Sequence, residues 1–191
     1  MVILRLFDID LRNFCFVNIA IFGSAFNPPS LGHKSVLERL KHYDLVLLVP
    51  SIAHAWGKDM LEYSARCEMV EAFIRDAKLE NLQISNVEAE ILQSNVEEQG
   101  QSVTTYAVMT ALQERYPQSQ LTFVLGPDNF LNFGKFYKAD EITTKWSILA
   151  CPETLPVRST QIRQRLANHQ SIDDLTTPSV EIYIQEHKLY S

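Results

Sequence analysis

Residues 23 to 33 read Gly23-Ser-Ala-Phe-Asn-Pro-Pro-Ser-Leu-Gly-His33. The two glycines and two prolines impose a non-helical path. Ser30 then stands at an N-cap position ahead of a helical pattern. Immediately upstream, Ile19, Ala20, Ile21 and Phe22 form a short apolar run of strand character. Strand, tight loop and helix start together open a βα unit. The free N–H groups and positive dipole end of such a helix can hold phosphate, and His33 falls in that first turn. Taken alone, the stretch also describes a capped helix with an incidental imidazole; its surroundings decide between the two.

Outward from this loop, short runs rich in Val, Ile, Leu and Phe alternate with longer segments of helical period. This is the signature of a parallel sheet covered on both faces. Strands are expected at 19–22, 45–49, 82–87, 121–125 and 146–150, and helices at 31–43, 64–77, 102–116 and 130–143. Val36, Leu37 and Leu40 make the first helical stripe; Met69, Val70, Phe73 and Ile74 make the second. Further helices are expected at 159–168, 171–175 and 179–186, the last led by Pro178. The fold class is α/β: a single Rossmann-like doubly wound domain with a five-stranded parallel sheet in the order 3-2-1-4-5 and C-terminal helices. That order sets strands 1 and 4 side by side where the winding reverses, and ligands bind at such a crevice.

The chain has 191 residues, 46% of them hydrophobic, enough for one domain with a substantial core. No repeat, low-complexity tract or linker divides it. Residues 1–18 read as an N-terminal extension or mis-called start, and 19–191 as the domain. A formal charge of −6 gives no diffuse basic surface, which disfavours DNA or RNA and favours a small phosphorylated substrate met by a few placed cations. Cys15, Cys67 and Cys151 lack the paired spacings of zinc or redox sites and fit thiols of a cytoplasmic protein. No apolar run approaches the roughly 20 residues of a membrane span, and no sequence signature specifies an oligomer.

The loops after strands 1 and 4 should flank the site. The second contains Gly126-Pro-Asp128. A third element, Arg158-Ser-Thr-Gln-Ile-Arg163, follows the fifth strand and reaches the same sheet edge. Ser159 or Thr160 can cap its helix, as in many ordinary helix starts. Arg163 faces that first turn, and a guanidinium fork matches phosphate oxygens.

At these residues the chain resembles the nicotinate-mononucleotide adenylyltransferases, within the HxGH nucleotidyltransferase superfamily. The family loop runs roughly G-G-T-F-D-P-x-H-x-G-H, and Gly23, Phe26, Pro28, Gly32 and His33 stand in place. The family's I-S-S-T-x-I-R is matched by Ser159, Thr160, Ile162 and Arg163, and its G-x-D by Gly126 and Asp128. The closing segment from Pro178 to Tyr190 is similar to the family's C-terminus. The resemblance implies in-line attack of a mononucleotide phosphate on the α-phosphorus of ATP, release of pyrophosphate, Mg²⁺ shielding the oxygens, and no covalent intermediate. It implies catalytic roles for His33, as an imidazolium, for Arg163 and for Lys58. The ATP site would comprise Gly23, Ser24, Ala25, Phe26, Ser30, Gly32, His33, Gly126, Asp128, Ser159, Thr160, Ile162 and Arg163. Asp128 would hold the ribose, Ile162 would lie near adenine, and Ser159 and Thr160 would meet the terminal phosphates.

Departures from the pattern cluster at the site. Ser30 replaces the first His of HxGH, Ser24 the second glycine, Asn27 an Asp, and Arg158 the first Ser of S-S-T. Arg158 would add a phosphate contact or point into water. On the acceptor side, Ala53-His54-Ala55-Trp56-Gly57-Lys58 stands for the family's P-P-H-K, and a solvated loop lysine is the alternative reading of Lys58. Thr104 and Thr105 lie in a stretch similar to the family's S-Y-T near the pyridine carboxylate, with Tyr106 where the family carries Asp. Phe136 takes the place of a ring-stacking aromatic, a spacing that core packing also explains. The expected activity is transfer of AMP from ATP to nicotinate mononucleotide in NAD biosynthesis. The alternatives are adenylyl transfer to another phosphorylated acceptor, or a non-catalytic nucleotide-binding regulator.

Overall fold

Five parallel strands form one sheet in the order β3-β2-β1-β4-β5, as the alternating pattern requires. The computed structural model describes residues 17–52, 60–94 and 103–190. The strands are β1 (Asn18–Ser24), β2 (Leu45–Pro50), β3 (Leu82–Ile84), β4 (Gln120–Leu125) and β5 (Ser147–Ala150). The helices are α1 (Leu31–Leu37), α2 (Tyr63–Ala77), α3 (Val87–Ser94), α4 (Thr105–Arg115), α5 (Pro127–Leu131), α6 (Ala139–Lys145), α7 (Ser159–Ala167) and α8 (Pro178–Glu186).

The period of two along the strands feeds two separate cores. Ala20, Phe22, Val46, Leu48 and Val124 enter one, against Leu37, Met69, Phe73, Ile162, Val180 and Ile184. Ile19, Ile21, Leu47, Val49, Leu121, Phe123 and Leu125 enter the other, against Val87, Val108, Met109 and Leu112. Each fully buried aliphatic chain contributes about 1.5 to 3 kcal/mol, so both faces hold the central strands. Among the described residues no helix is long and apolar enough to cross a membrane. Cys67 and Cys151 are free thiols.

Four sequence expectations need correction. The run expected as strand to residue 87 ends at Ile84, and Val87 instead opens α3, its side chain buried in the second core. The helix expected at 130–143 is three pieces: α5, a 3₁₀ turn at Phe133–Lys135, and α6. Lys138 causes the second break, with φ 57° in the left-handed region immediately before α6. The segment 171–175 is a turn rather than a helix. The first helix also ends early, at Leu37, and tightens into a 3₁₀ turn at Glu38–Leu40.

Because β1 and β4 are neighbours, the loops at their C-terminal ends open onto one crevice, where β5 and the start of α7 also arrive.

Candidate active site

That crevice is a cleft of about 340 Å³ lined by Gly23, Ser24, Ala25, Ser30, Gly32, His33, Gly126, Asp128, Ser159, Thr160 and Arg163 among others. Eleven of the thirteen residues expected around ATP therefore meet in one cavity. The other two do not line it. Phe26 and Ile162 are 0% exposed and belong to the core beneath, so no surface of Ile162 is open to an adenine.

The loop from β1 to α1 is held from outside at successive carbonyls. Ala25 O accepts from Arg66 Nη1 at 2.8 Å, Asn27 O from Arg163 Nη1 at 2.6 Å, Pro28 O from Ser159 Oγ at 2.6 Å and Pro29 O from Thr176 Oγ1 at 2.8 Å. The amide of Leu31 donates to Leu175 O at 2.9 Å. Asn27 is buried, and its Oδ1 accepts from Tyr190 OH at 2.6 Å. The strained position of the loop is Phe26, at φ 45°, held by edge-on contact with Phe22 and by the His33 ring at 5.0 Å. Ser24 terminates β1 and needs no left-handed backbone, so its substitution for glycine is accommodated.

His33 is fixed by a capping box. Ser30 N–H donates to His33 Nδ1 at 3.0 Å, and the Ser30 hydroxyl donates to Val157 O at 3.0 Å. Nδ1 is thereby the unprotonated nitrogen, so Nε2 carries the proton and donates to Ser24 Oγ at 3.0 Å. Burial between Phe22 and Phe26 pulls the imidazole down to about 4. Burial thus works against the imidazolium expected at His33 from sequence. Its Nε2–H remains a donor, and because part of the residue still lines the cleft, a bound polyanion can raise its basicity.

Gly32 is required by close approach: a Cβ there would lie 2.1 Å from Val157 O. The first turn of α1 is therefore pressed against the segment leading into α7.

Arg158 is exposed at the cleft and engaged by two carboxylates. Its Nε and Nη2 donate to the two oxygens of Glu153 at 2.8 Å each, and Nη1 donates to Asp128 Oδ2 at 2.8 Å. The carboxylate expected to hold the ribose is thus already engaged. Arg163 is bonded to neutral oxygens, Asn27 O and, at 3.3 Å, Thr160 Oγ1, which leaves its charge available to a ligand.

Of the acceptor-side residues, Thr104, Thr105 and Phe136 do not line this cavity. Thr104 caps α4, accepting from Ala107 N–H at 3.2 Å, and Thr105 is that helix's first residue. Phe136 packs on Phe133 and Phe123, at 5.3 and 6.4 Å between ring centres. The helix-core explanation fits it. All three stand at the same sheet edge as the cleft, since helices between parallel strands start where the strands end. Lys58 and His54 lie outside the described residues.

Sequence reasoning missed Arg66, Glu88 and Glu153. Arg66 carried a signal: it falls on the stripe formed with Met69, Val70 and Phe73, where a charged residue on an apolar face has to find partners. It is 1% exposed. Glu88 is buried at the start of α3, accepts from Ile52 N–H at 2.8 Å, and is pushed up to about 7 by burial, against which that hydrogen bond and the nearby Arg66 charge act.

The cytidylyltransferase-like family model matches residues 21–165. The nicotinate-nucleotide adenylyltransferase of Bacillus subtilis (strain 168) is 28% identical over 195 residues, spanning 90% of this chain and 97% of its own. A crystal structure from Vibrio parahaemolyticus, described as a candidate nicotinate-nucleotide adenylyltransferase, is 50% identical with a TM-score of 0.81, covering 92% of this chain and 96% of that one. The nicotinic acid mononucleotide adenylyltransferase of Plasmodium falciparum, solved with NaAD, is 18% identical and shares the fold at a TM-score of 0.71 over 91% of this chain and 97% of that one.

Proposed function

This chain belongs to the cytidylyltransferase-like family, and from that premise we propose that it transfers AMP from ATP to nicotinate mononucleotide, releasing pyrophosphate, as a step of NAD biosynthesis. It is a nucleotidyltransferase acting on small molecules, at work in the cytoplasm. One observation carries the reading: the 23–33 loop, Gly126 to Asp128 and Ser159 to Arg163 enclose a single cleft at the switch point of the sheet.

An oxygen of the acceptor phosphate attacks the α-phosphorus, and the bond from that phosphorus to the bridging oxygen breaks with its electron pair leaving on pyrophosphate. Such a reaction needs alignment and charge stabilisation more than a protein nucleophile. Arg163 and the N-terminus of α7, with Ser159 and Thr160, hold the β- and γ-phosphates. His33 Nε2–H turns from Ser24 to the α-phosphate oxygen, where negative charge builds. Asp128 releases Arg158 and accepts from the ribose hydroxyls. Among the described residues no group of three or more His, Cys, Asp or Glu could hold a metal. Mg²⁺, as the resemblance implies, would be held with the triphosphate beside Ser159, Thr160 and Arg163 and would supply charge shielding there.

The test is a panel of acceptors offered with MgATP while pyrophosphate release is measured. Turnover with nicotinate mononucleotide supports the reading. Release with a different acceptor alone overturns the substrate, and ATP binding without turnover on any acceptor overturns the enzyme.

A further inference from the structure

Arg66 directs its donors to four backbone carbonyls, one of them, Ala25, in the lining of the cleft. Nη1 reaches Ala25 O at 2.8 Å and Ser51 O at 2.7 Å, Nη2 reaches Ile52 O at 3.3 Å, and Nε reaches Leu61 O at 2.9 Å. The side chain is 1% exposed. One guanidinium thus joins the ATP loop, the exit of β2 and the entry of α2.

The exit of β2 is held at each backbone polar group. Ser51 N–H donates to Ser24 O at 3.0 Å, Ile52 N–H donates to Glu88 Oε2 at 2.8 Å, and both carbonyls go to Arg66. Leu61 N–H leans on Asn27 Oδ1 at 3.4 Å, which ties that end back to the ATP loop as well. Met60, beside it, lines the cleft.

These contacts acquire a functional meaning from the sheet order. The elements assigned to the nucleotide, Asp128 and the 159–163 segment, lie on the β4 and β5 side of β1. In-line displacement requires the attacking oxygen to approach opposite the leaving pyrophosphate, and the side remaining for it is the β2 side, where Met60 lines the cleft next to Leu61 and the Ser51–Ile52 exit of β2.

We propose that Arg66, seconded by Glu88, is a positioning residue that sets the spacing between the ATP loop and the acceptor wall, and so governs in-line alignment rather than nucleotide affinity. This rests on the adenylyl-transfer reading. The chemistry of the group explains the choice of Arg: a planar fork of five donors serves four carbonyls in different directions, whereas an ammonium is a point with three. Arg66 touches neither substrate, and its influence passes through the backbone it holds. A displacement of about 1 Å at the reacting atoms is enough to cost about 10²-fold in rate.

The experiment compares wild type, Arg66→Lys and Glu88→Ala by steady-state kinetics with MgATP and nicotinate mononucleotide, normalised to folded protein by near-UV circular dichroism. Wild-type turnover in this assay tests the activity separately, so a failure of that reading is distinct from a failure of this one. Arg66→Lys is expected to lower kcat by about 10²-fold with KM for ATP within about threefold of wild type. Glu88→Ala, which frees Ile52 N–H while leaving Arg66 in place, is expected to lower kcat by about tenfold with the same unchanged KM for ATP. A purely structural role would lower the folded fraction and leave kcat per folded molecule intact, and that result overturns the proposal. So does a rise confined to KM for ATP. Should Arg66→Lys fail to fold, Glu88→Ala decides: an unchanged kcat refutes the inference.

Discussion

Replacing Gly32 by Ala sets two physical effects against each other. Gly32 lies inside α1, where helix propensity alone favours Ala by about 1 kcal/mol. The packing is opposed: the new methyl would stand 2.1 Å from Val157 O, 3.2 Å from Val157 C and 3.3 Å from Leu155 O, where contacts below 3.0 Å essentially never occur and those from 3.4 Å are ordinary. The helix and the 155–157 segment must then part by 0.9 to 1.3 Å. All three obstructing atoms are backbone, so no rotamer change avoids this. The separation pulls Val157 O from the Ser30 hydroxyl, whose residue also orients His33. Losing that hydrogen bond costs about 1 kcal/mol and overpacking about 1 to 3 kcal/mol. After the propensity gain is deducted, Gly32→Ala should be about 1 to 3 kcal/mol less stable in urea denaturation. Its pyrophosphate release should fall about 10²-fold as His33 moves. Gly126→Ala is the control for stability, since nothing lies within 4 Å of its Cβ position, and it should stay within about 0.5 kcal/mol of wild type. A Gly32→Ala protein as stable as wild type, with full turnover, would refute the close-approach argument.

His33→Ala should lower kcat by about 10² to 10³-fold with little change in ATP affinity; an unchanged rate removes His33 from the chemistry. Two buried groups should oppose each other in the pH dependence of stability. His33, lowered from 6.5 to about 4, is protonated more readily in the unfolded chain, so it makes stability rise with pH between about 4 and 6.5. Glu88, raised from 4.5 to about 7, holds its proton better when folded, so it makes stability fall as pH rises through that window, by up to about 3 kcal/mol. Urea denaturation from pH 4 to 8 should therefore show Glu88→Gln gaining stability with pH and His33→Asn losing it, and parallel curves would discount both assignments. Arg158→Ser removes the competitor for Asp128. The pair is exposed, at 53% and 71% of the side chains, and worth about 1 kcal/mol at most, so isothermal titration should show ATP binding up to about fivefold tighter; weaker binding would mean that Arg158 serves the ligand. Finally, a chain beginning at Val17 keeps all of β1 and should fold and turn over as the full chain does, and insolubility of that product would end the reading of the N-terminus as an extension.

The sheet was legible because burial on both faces writes itself as apolar runs, and strand order followed from parallel winding. Val87 misled because it continues the strand-like run from Leu82, while what makes it helical is its fit into the second core. The break at Lys138 left no trace, since lysine carries no preference for the left-handed backbone that it adopts. At the site, loop glycines, Asp128 and Arg163 were readable as residue types at fixed spacing. The fork of Arg158 was not, because it depends on Asp128, 30 positions away, and Glu153. The double duty of Ser159 and Arg163, which hold the 23–33 loop as well as facing the cleft, depends on contacts across 131 and 136 positions. The lowered basicity of His33 was hidden for a related reason: the aromatic rings that desolvate it are set by the fold.

Those long spans also have a consequence in time. The 23–33 loop is made early, yet its carbonyls and the Asn27 side chain wait for Ser159, Arg163, Thr176 and Tyr190, the last of these 163 positions later. At synthesis rates of about 5 to 20 residues per second, that is a delay of roughly 10 to 30 s. The cleft is therefore among the last parts of the molecule to be completed, and a chain released before Tyr190 retains the sheet-forming strands without the finished loop that lines it.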